Sequence, residues 1–230
     1  YRNNLLATGE PGAGLDQCGP GRGAARRGDV LEVVASHGSD HADASGTRVH
    51  ADKPVQVIAG HSCANVPDAT TPACDHLEQA LFPTQILGKD YVVTYPAAVA
   101  SRSAHLLRIA AVEAETRVQF DPPLHAPITL GPNDAPFELR VGSYTRGAPG
   151  ERGTEDPPVD MHIWAYKPIS IAQYRQGQGS VPSGSGDPSM ALAVPTAQYR
   201  SDSLFTASTT YAANFINVIA PIGTAISLDD

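Results

Sequence analysis

Residues 53–84 read KPVQVIAGHSCANVPDATTPACDHLEQALFPT, and the same plan returns near the end of the chain. From Lys167 the sequence runs KPISIAQYRQG, then GDPSM from Gly186, then VPT at 194–196. Lys53-Pro54 matches Lys167-Pro168 at a separation of 114, and Pro83-Thr84 matches Pro195-Thr196 at 112. Thr116-x-Val118-x-Phe120 matches Thr224-x-Ile226-x-Leu228 at 108. An offset that drifts by only a few residues is what small loop indels leave between two copies of one module. The expected organisation is a Gly/Pro-rich loop or linker at 1–28, a first β-rich repeat at 29–136 and a second at 137–230.

Period-two alternation of apolar and polar residues predicts strands at 29–34, 91–95, 105–112, 116–120 and 137–141. It also predicts a hairpin of 47–51 and 55–59 around Asp52-Lys53-Pro54. In the second copy, strands are expected at 161–165 and 169–172 around a Tyr166-Lys167-Pro168 turn, then at 192–194, 204–206, 215–219 and 224–228. Residues 76–81 allow one helical turn, but no segment holds a 3.6-residue period for three turns. The fold class is therefore all-β and antiparallel. Seven or eight short strands per copy suit tandem β-sandwich-like repeats, with β-propeller blades as the alternative.

Charged residues make up 17% of the chain and the net charge is −8, with Lys and Arg scattered. No basic stripe exists to neutralise phosphates, which excludes nucleic acid as an expected partner. No run of about 18 apolar residues marks a membrane span. The chain opens in mid-pattern at Tyr1. A fragment or processed product is therefore expected, and a missing signal peptide carries no weight.

Cys63 and Cys74 bracket a loop holding Asn65, Pro67, Asp68 and Pro72. A bridge closing this loop is favoured over two free thiols and argues for an oxidising compartment. Cys18 has no local partner.

Several motifs suggest chemistry. Gly60-His61-Ser62-Cys63-Ala64 nearly matches the G-x-S-x-G elbow, with Asp160 and His162 downstream. That elbow needs a helix straight after the serine, and Pro67 and Pro72 deny it one, so no enzyme is expected. His61, Asp75, His76 and Glu78 could group around a cation, but spacing alone favours a solvated polar loop. The same holds for His37, Asp40, His41 and Asp43. No metal or other cofactor is expected. Asp187 in Gly-Asp-Pro reads as a turn. Trp164 and Tyr166 alternate with Ile163 and Ala165, so one pair faces a core and the other solvent.

At the CANVP and CDHLEQ motifs, with GKDYVV and GDPSM after them, the chain resembles the IgGFc-binding protein N-terminal domain family over residues 28–228. The resemblance implies a structural Cys63–Cys74 disulfide, an extracellular or cell-surface setting and a further copy of the unit upstream. It does not carry immunoglobulin binding to any residue here. The abundance of Ala, Gly and Arg suggests a bacterial member. The expected function is a non-catalytic binding or adhesion module that presents loops 61–76 and 175–190 to a protein or glycan. Its candidate contact residues are His61, Asn65, Asp75, His76, Trp164 and Asp187. The alternative is a structural repeat unit of a surface layer or filament that associates with itself.

Overall fold

The alternation MHIWAYKPISIAQYR is not broken at its Lys-Pro pair: residues Met161–Arg175 form one continuous strand around which the molecule is organised. The computed structural model describes residues 2–7, 30–35, 43–96, 104–145, 154–180, 186–210 and 213–228. Its strands are β1 (Arg2–Ala7), β2 (Val30–Ala35), β3 (Ile58–Ala64), β4 (Asp75–Ala80), β5 (Gly88–Val93), β6 (His105–Ala111) and β7 (Thr116–Asp121). There follow β8 (Ile128–Leu130), β9 (Phe137–Val141), β10 (Ser143–Thr145), β11 (Thr154–Asp156), β12 (Met161–Arg175) and β13 (Ser189–Leu192). Among the described residues there is no α-helix, only short 3-10 turns. The pairings are antiparallel apart from β1 with β2.

Both edges of β12 are occupied. Ile169 lies opposite Gly88 of β5 and also opposite Ala111 of β6. Residues 162–164 lie opposite β5 and β7. Thus β6 and β7 follow one another along one edge, while β13 and β5 share the other. Outside them, β9 pairs with β6 and β8 with β7. The seven strands therefore make four ribs.

Three ribs are interrupted at one level: residues 112–115, residues 131–136 and a register shift between Trp164 and Ile169 in β12. Pro168, which lacks an N–H, is accommodated at that shift, and its carbonyl accepts from the Val112 backbone at 3.3 Å. Lys167 Nζ donates to the Ala114 carbonyl at 2.7 Å. Bends at a common level let a sheet curl over its own face. The odd-numbered residues of β12 line that concave face: Met161, Ile163, Ala165, Ile169 and Ile171 join Tyr91, Leu107, Ile109, Val118, Phe120 and Val141 in one core. Phe137 of β9 reaches Phe120 of β7 across the bend, with ring centroids 6.0 Å apart. Each buried aliphatic side chain contributes roughly 1.5–3 kcal/mol.

The all-β, antiparallel class holds, but its detailed form differs. Strands from both sides of residue 136 share one sheet, and two sandwich units or two blades are not seen among the described residues. The hairpin at Asp52-Lys53-Pro54 does not form. Residues 47–57 bend at Asp52–Lys53 without pairing in any sheet, and β3 pairs instead with β4 beyond the cysteine loop. Lys-Pro is a turn signal only where the following strand finds no better partner. Residues 75–80 are strand rather than a helical turn, since one buried residue, Leu77, flanked by exposed neighbours fits a pleat. Of the last predicted strands, 192–194 is replaced by β13, while 204–206, 215–219 and 224–228 form no strand and join no sheet. Residues 1 and 8–28 of the expected linker, and His37, Asp40 and His41, lie outside the described residues.

Candidate binding face

Even-numbered residues of β12 point to the outer, convex face, which divides at the bend. On the half carrying β6, β9 and β13, Leu106, Tyr174 and Met190 form a second apolar cluster with Val66, Leu77 and Ala64. This seats the β3–β4 hairpin and its loop on the sheet. Cys63 and Cys74 are bonded, with Cα atoms 5.0 Å apart. Inside the loop, Asn65 Nδ2 donates to the Thr71 carbonyl at 2.6 Å. Hydrogen bonds from the Thr70 hydroxyl and backbone N–H hold the Asp68 carboxyl below the usual range. Arg140 of β9 pairs with Asp68 at 3.3 Å. The Gly177 N–H donates to the Val66 carbonyl at 2.9 Å, joining the loop after β12 to the disulfide loop. A Cβ at Gly177 would stand 3.0 Å from the Ala73 carbonyl oxygen and 3.2 Å from that of Pro72, a tight fit that glycine relieves. The two loops predicted to carry function thus form one surface.

The predicted residues take up different duties on it. Asn65 is occupied in holding the loop. The Asp75 carboxylate accepts from the His76 backbone N–H at 2.7 Å, and the His76 ring meets Glu78 at 3.2 Å. His61 Nδ1 accepts from the Cys63 N–H, and its position opposite Leu77 puts it across the ribbon from His76 and Glu78. The cation grouping of His61, Asp75, His76 and Glu78 is therefore not assembled. Among the described residues no three His, Cys, Asp or Glu side chains come together in a metal-holding group. Asp187 is exposed beside Pro188, which meets the Gly177 turn.

A network that the sequence did not reveal pins the segment before β3 to this half. Arg108 pairs with Asp43, with Glu138 at 3.0 Å, and with the Ser45 hydroxyl at 2.8 Å. Burial alone would raise the Asp43 carboxyl, but hydrogen bonds from Arg108 and Ser45 outweigh it and leave it below the ordinary value. A carboxyl lowered in the folded state adds stability above its unfolded value, near 4, and loses it as pH falls through the folded one. Arg108→Met is expected to cost about 2 kcal/mol at pH 7. Urea unfolding at pH 7 and pH 3 checks this, and the variant is expected to lose less stability in acid than the parent.

On the other half, Trp164 stands on β12 between Asp90 of β5 and Gln119 of β7. Its ring stacks on His162 with centroids 4.8 Å apart and planes at 21°. His162 Nε2 meets Asp90 at 2.9 Å, and Thr196 Oγ1 donates to the other Asp90 oxygen at 3.1 Å. Tyr166, two positions along the same face, is 64% exposed. Of the two alternating pairs, Ile163 and Ala165 are the one that faces the core. His162 is thus paired with Asp90, while Asp160 accepts from the Tyr95 N–H at 3.2 Å. Ser62 lies inside β3 with no helix after it, so it lacks the elbow geometry. No helix among the described residues is long and apolar enough to cross a membrane.

Comparison with known proteins gives two matches. A family model described as "IgGFc binding protein" matches residues 25–230. The human protein named "IgGFc-binding protein" is 35% identical over 99 residues, which is 41% of this chain and 2% of that protein. The chain thus spans a very small part of this relative. No solved structure matches it.

Proposed function

This chain belongs to the IgGFc-binding protein family, and from that premise we propose that it is an extracellular, non-catalytic module that binds a protein partner on the convex face of its curled sheet. The observation that carries this reading is the fixed aromatic pair Trp164–His162, buttressed by Asp90 and Thr196, with Tyr166 exposed beside it. Rigid aromatic side chains lose little entropy on binding and dominate interface energetics. The joined loops 61–76 and 175–190 supply the polar rim, with His61, Asp75, His76 and Asp187 as contacts. A disulfide-closed loop suits an oxidising, extracellular setting.

The test is surface plasmon resonance of the whole chain against purified extracellular proteins, with immunoglobulin Fc included because the human relative's name specifies it, and against a glycan array. A protein ligand whose affinity falls about 30-fold with Trp164→Ala, at unchanged circular dichroism, is the expected result. Binding to glycans alone, or protein binding indifferent to Trp164→Ala and Asp187→Ala, would overturn the reading.

A further inference from the structure

Two parts of the chain have the same backbone construction, and one lacks what the other contains. Under the separations of 114 and 112, the four pairs of the β12–β13 register reproduce the first four of the β3–β4 register. Ala172↔Leu192, Gln173↔Ala191, Tyr174↔Met190 and Arg175↔Ser189 correspond to Ile58↔Ala80, Ala59↔Gln79, Gly60↔Glu78 and His61↔Leu77. The flanking bonds, Ala193 N–H to Ile171 and Leu81 N–H to Val57, are both 2.9 Å. Pro83 (φ −64°, ψ 148°) and Pro195 (φ −66°, ψ 147°) open equivalent 3-10 turns. Under the separation of 108, the turn between β6 and β7 returns at 221–224. Thr116 Oγ1 donates to Glu113 at 2.7 Å and Thr224 Oγ1 to Pro221 at 2.8 Å. Glu115 (φ 53°) and Gly223 (φ 85°) are both left-handed there.

Residues 200–205 therefore correspond to β5, residues 213–228 to β6 and β7, and residues 47–61 to β12. In the first set, β12 is seated between β5 and β6–β7 and completes the core. In the second set, neither 200–205 nor 213–228 is paired in any sheet among the described residues. Their apolar side chains stand in solvent: Leu204 is 97% exposed, and Phe205, Phe215, Ile226 and Leu228 are more than half exposed. Residues 47–57 likewise lie outside any sheet, with a bend at Asp52–Lys53 and with Val49 and Val55 exposed. An open cleft of about 400 Å³ lies against Ala213, Asn214, Phe215 and Asn217. The molecule thus carries unpaired counterparts of the flanking ribs and, at 47–57, an unpaired counterpart of the strand that joins them.

We propose that residues 47–61 of one copy of this chain insert between residues 200–205 and 213–228 of a second copy, in the register by which β12 is held. The transferred register sets Val49 opposite Leu228, Ala51 opposite Ile226 and Val55 opposite Ile219. The charges also correspond: the His162–Asp90 pair becomes Arg48 of one copy facing Asp202 of the other. In the single copy, the exposed Arg48 guanidinium rests on the Val112 carbonyl, a contact that the new pair replaces. The position of buried Ile109 is taken by Asn217, whose amide instead donates to Thr94 Oγ1 at 2.8 Å. Added strands satisfy unpaired backbone edges along with apolar pockets. A strand of one copy laid against a different segment of the next makes a head-to-tail contact, which leaves each end able to grow.

The experiment is multi-angle light scattering of the whole chain over a concentration series, in a Cys18→Ser background so that no intermolecular disulfide contributes. The mass is expected to rise with concentration and to fall to that of one chain on adding the synthetic peptide of residues 47–61, but not a scrambled one. Ile226→Asp, on an exposed side chain, is expected to abolish association. Asp202→Arg is expected to weaken it about fivefold and Arg48→Asp/Asp202→Arg to restore it. A single-chain mass at every concentration would overturn the proposal. So would an assembly indifferent to the peptide and to both substitutions.

Discussion

Ile163→Ala is expected to lower the stability of the whole chain by about 3–4 kcal/mol and its melting temperature by about 10 °C, in a single transition. Ile163 is fully buried on the central rib, opposite Tyr91 of β5 on one edge and Phe120 of β7 on the other. Removing three carbons there loses their transfer free energy and leaves a cavity that two flanking strands, fixed by their own ladders, cannot close. The single transition follows from the topology. Among the described residues, β12 is the only strand paired with both β5 and the β6–β7 rib, so neither can keep its buried face once it detaches. Calorimetry with a second, spectroscopic probe checks both claims. Two resolved transitions, with only one shifted, would mean that the halves fold independently.

Cys63→Ser is expected to cost about 3 kcal/mol, from the entropy that a bridge across eleven residues removes from the unfolded chain. Its effect should be largely confined to the outer face. Val66, Leu77 and Leu106 form their own cluster there, separate from the core on the concave side. The variant is thus expected to unfold in two steps, with β3–β4 leaving first. Hydrogen exchange localises the loss: amides of 58–80 should exchange faster in the variant while those of 107–109 and 161–171 stay protected. Equal acceleration in both groups would refute this separation.

The strand content was legible because alternation survives in nearly every segment that became sheet: 105–111, 116–121 and 137–141 were predicted almost to the residue. Partner choice was not legible. Lys53-Pro54 and Lys167-Pro168 read as hairpin turns, yet one lies at a bend in a segment that joins no sheet and the other at a register shift inside β12. A turn signal reports what a backbone tolerates, whereas pairing depends on which edge becomes available elsewhere. The alternation placed Trp164 and Tyr166 opposite Ile163 and Ala165. It also put His162 on the face of Trp164, but its partner Asp90 is 72 residues away and no local pattern connects them. The Asp43–Arg108–Glu138 network was hidden for the same reason.

The order in which the chain leaves a ribosome gives the central rib a further significance. Strands β5, β6 and β7 are complete by residue 121, but the strand that covers their facing edges is not finished until residue 175. At roughly 5–20 residues per second the interval is about 3–10 s, long compared with hydrophobic collapse. For that time the nascent chain shows the apolar edges of Tyr91, Ile109 and Phe120 with nothing to lay against them. A slow-translating stretch between residues 121 and 161 would lengthen this interval and, with it, dependence on chaperones. Yield in the cell is therefore set by synthesis speed through those forty or so residues as much as by the stability of the finished sheet.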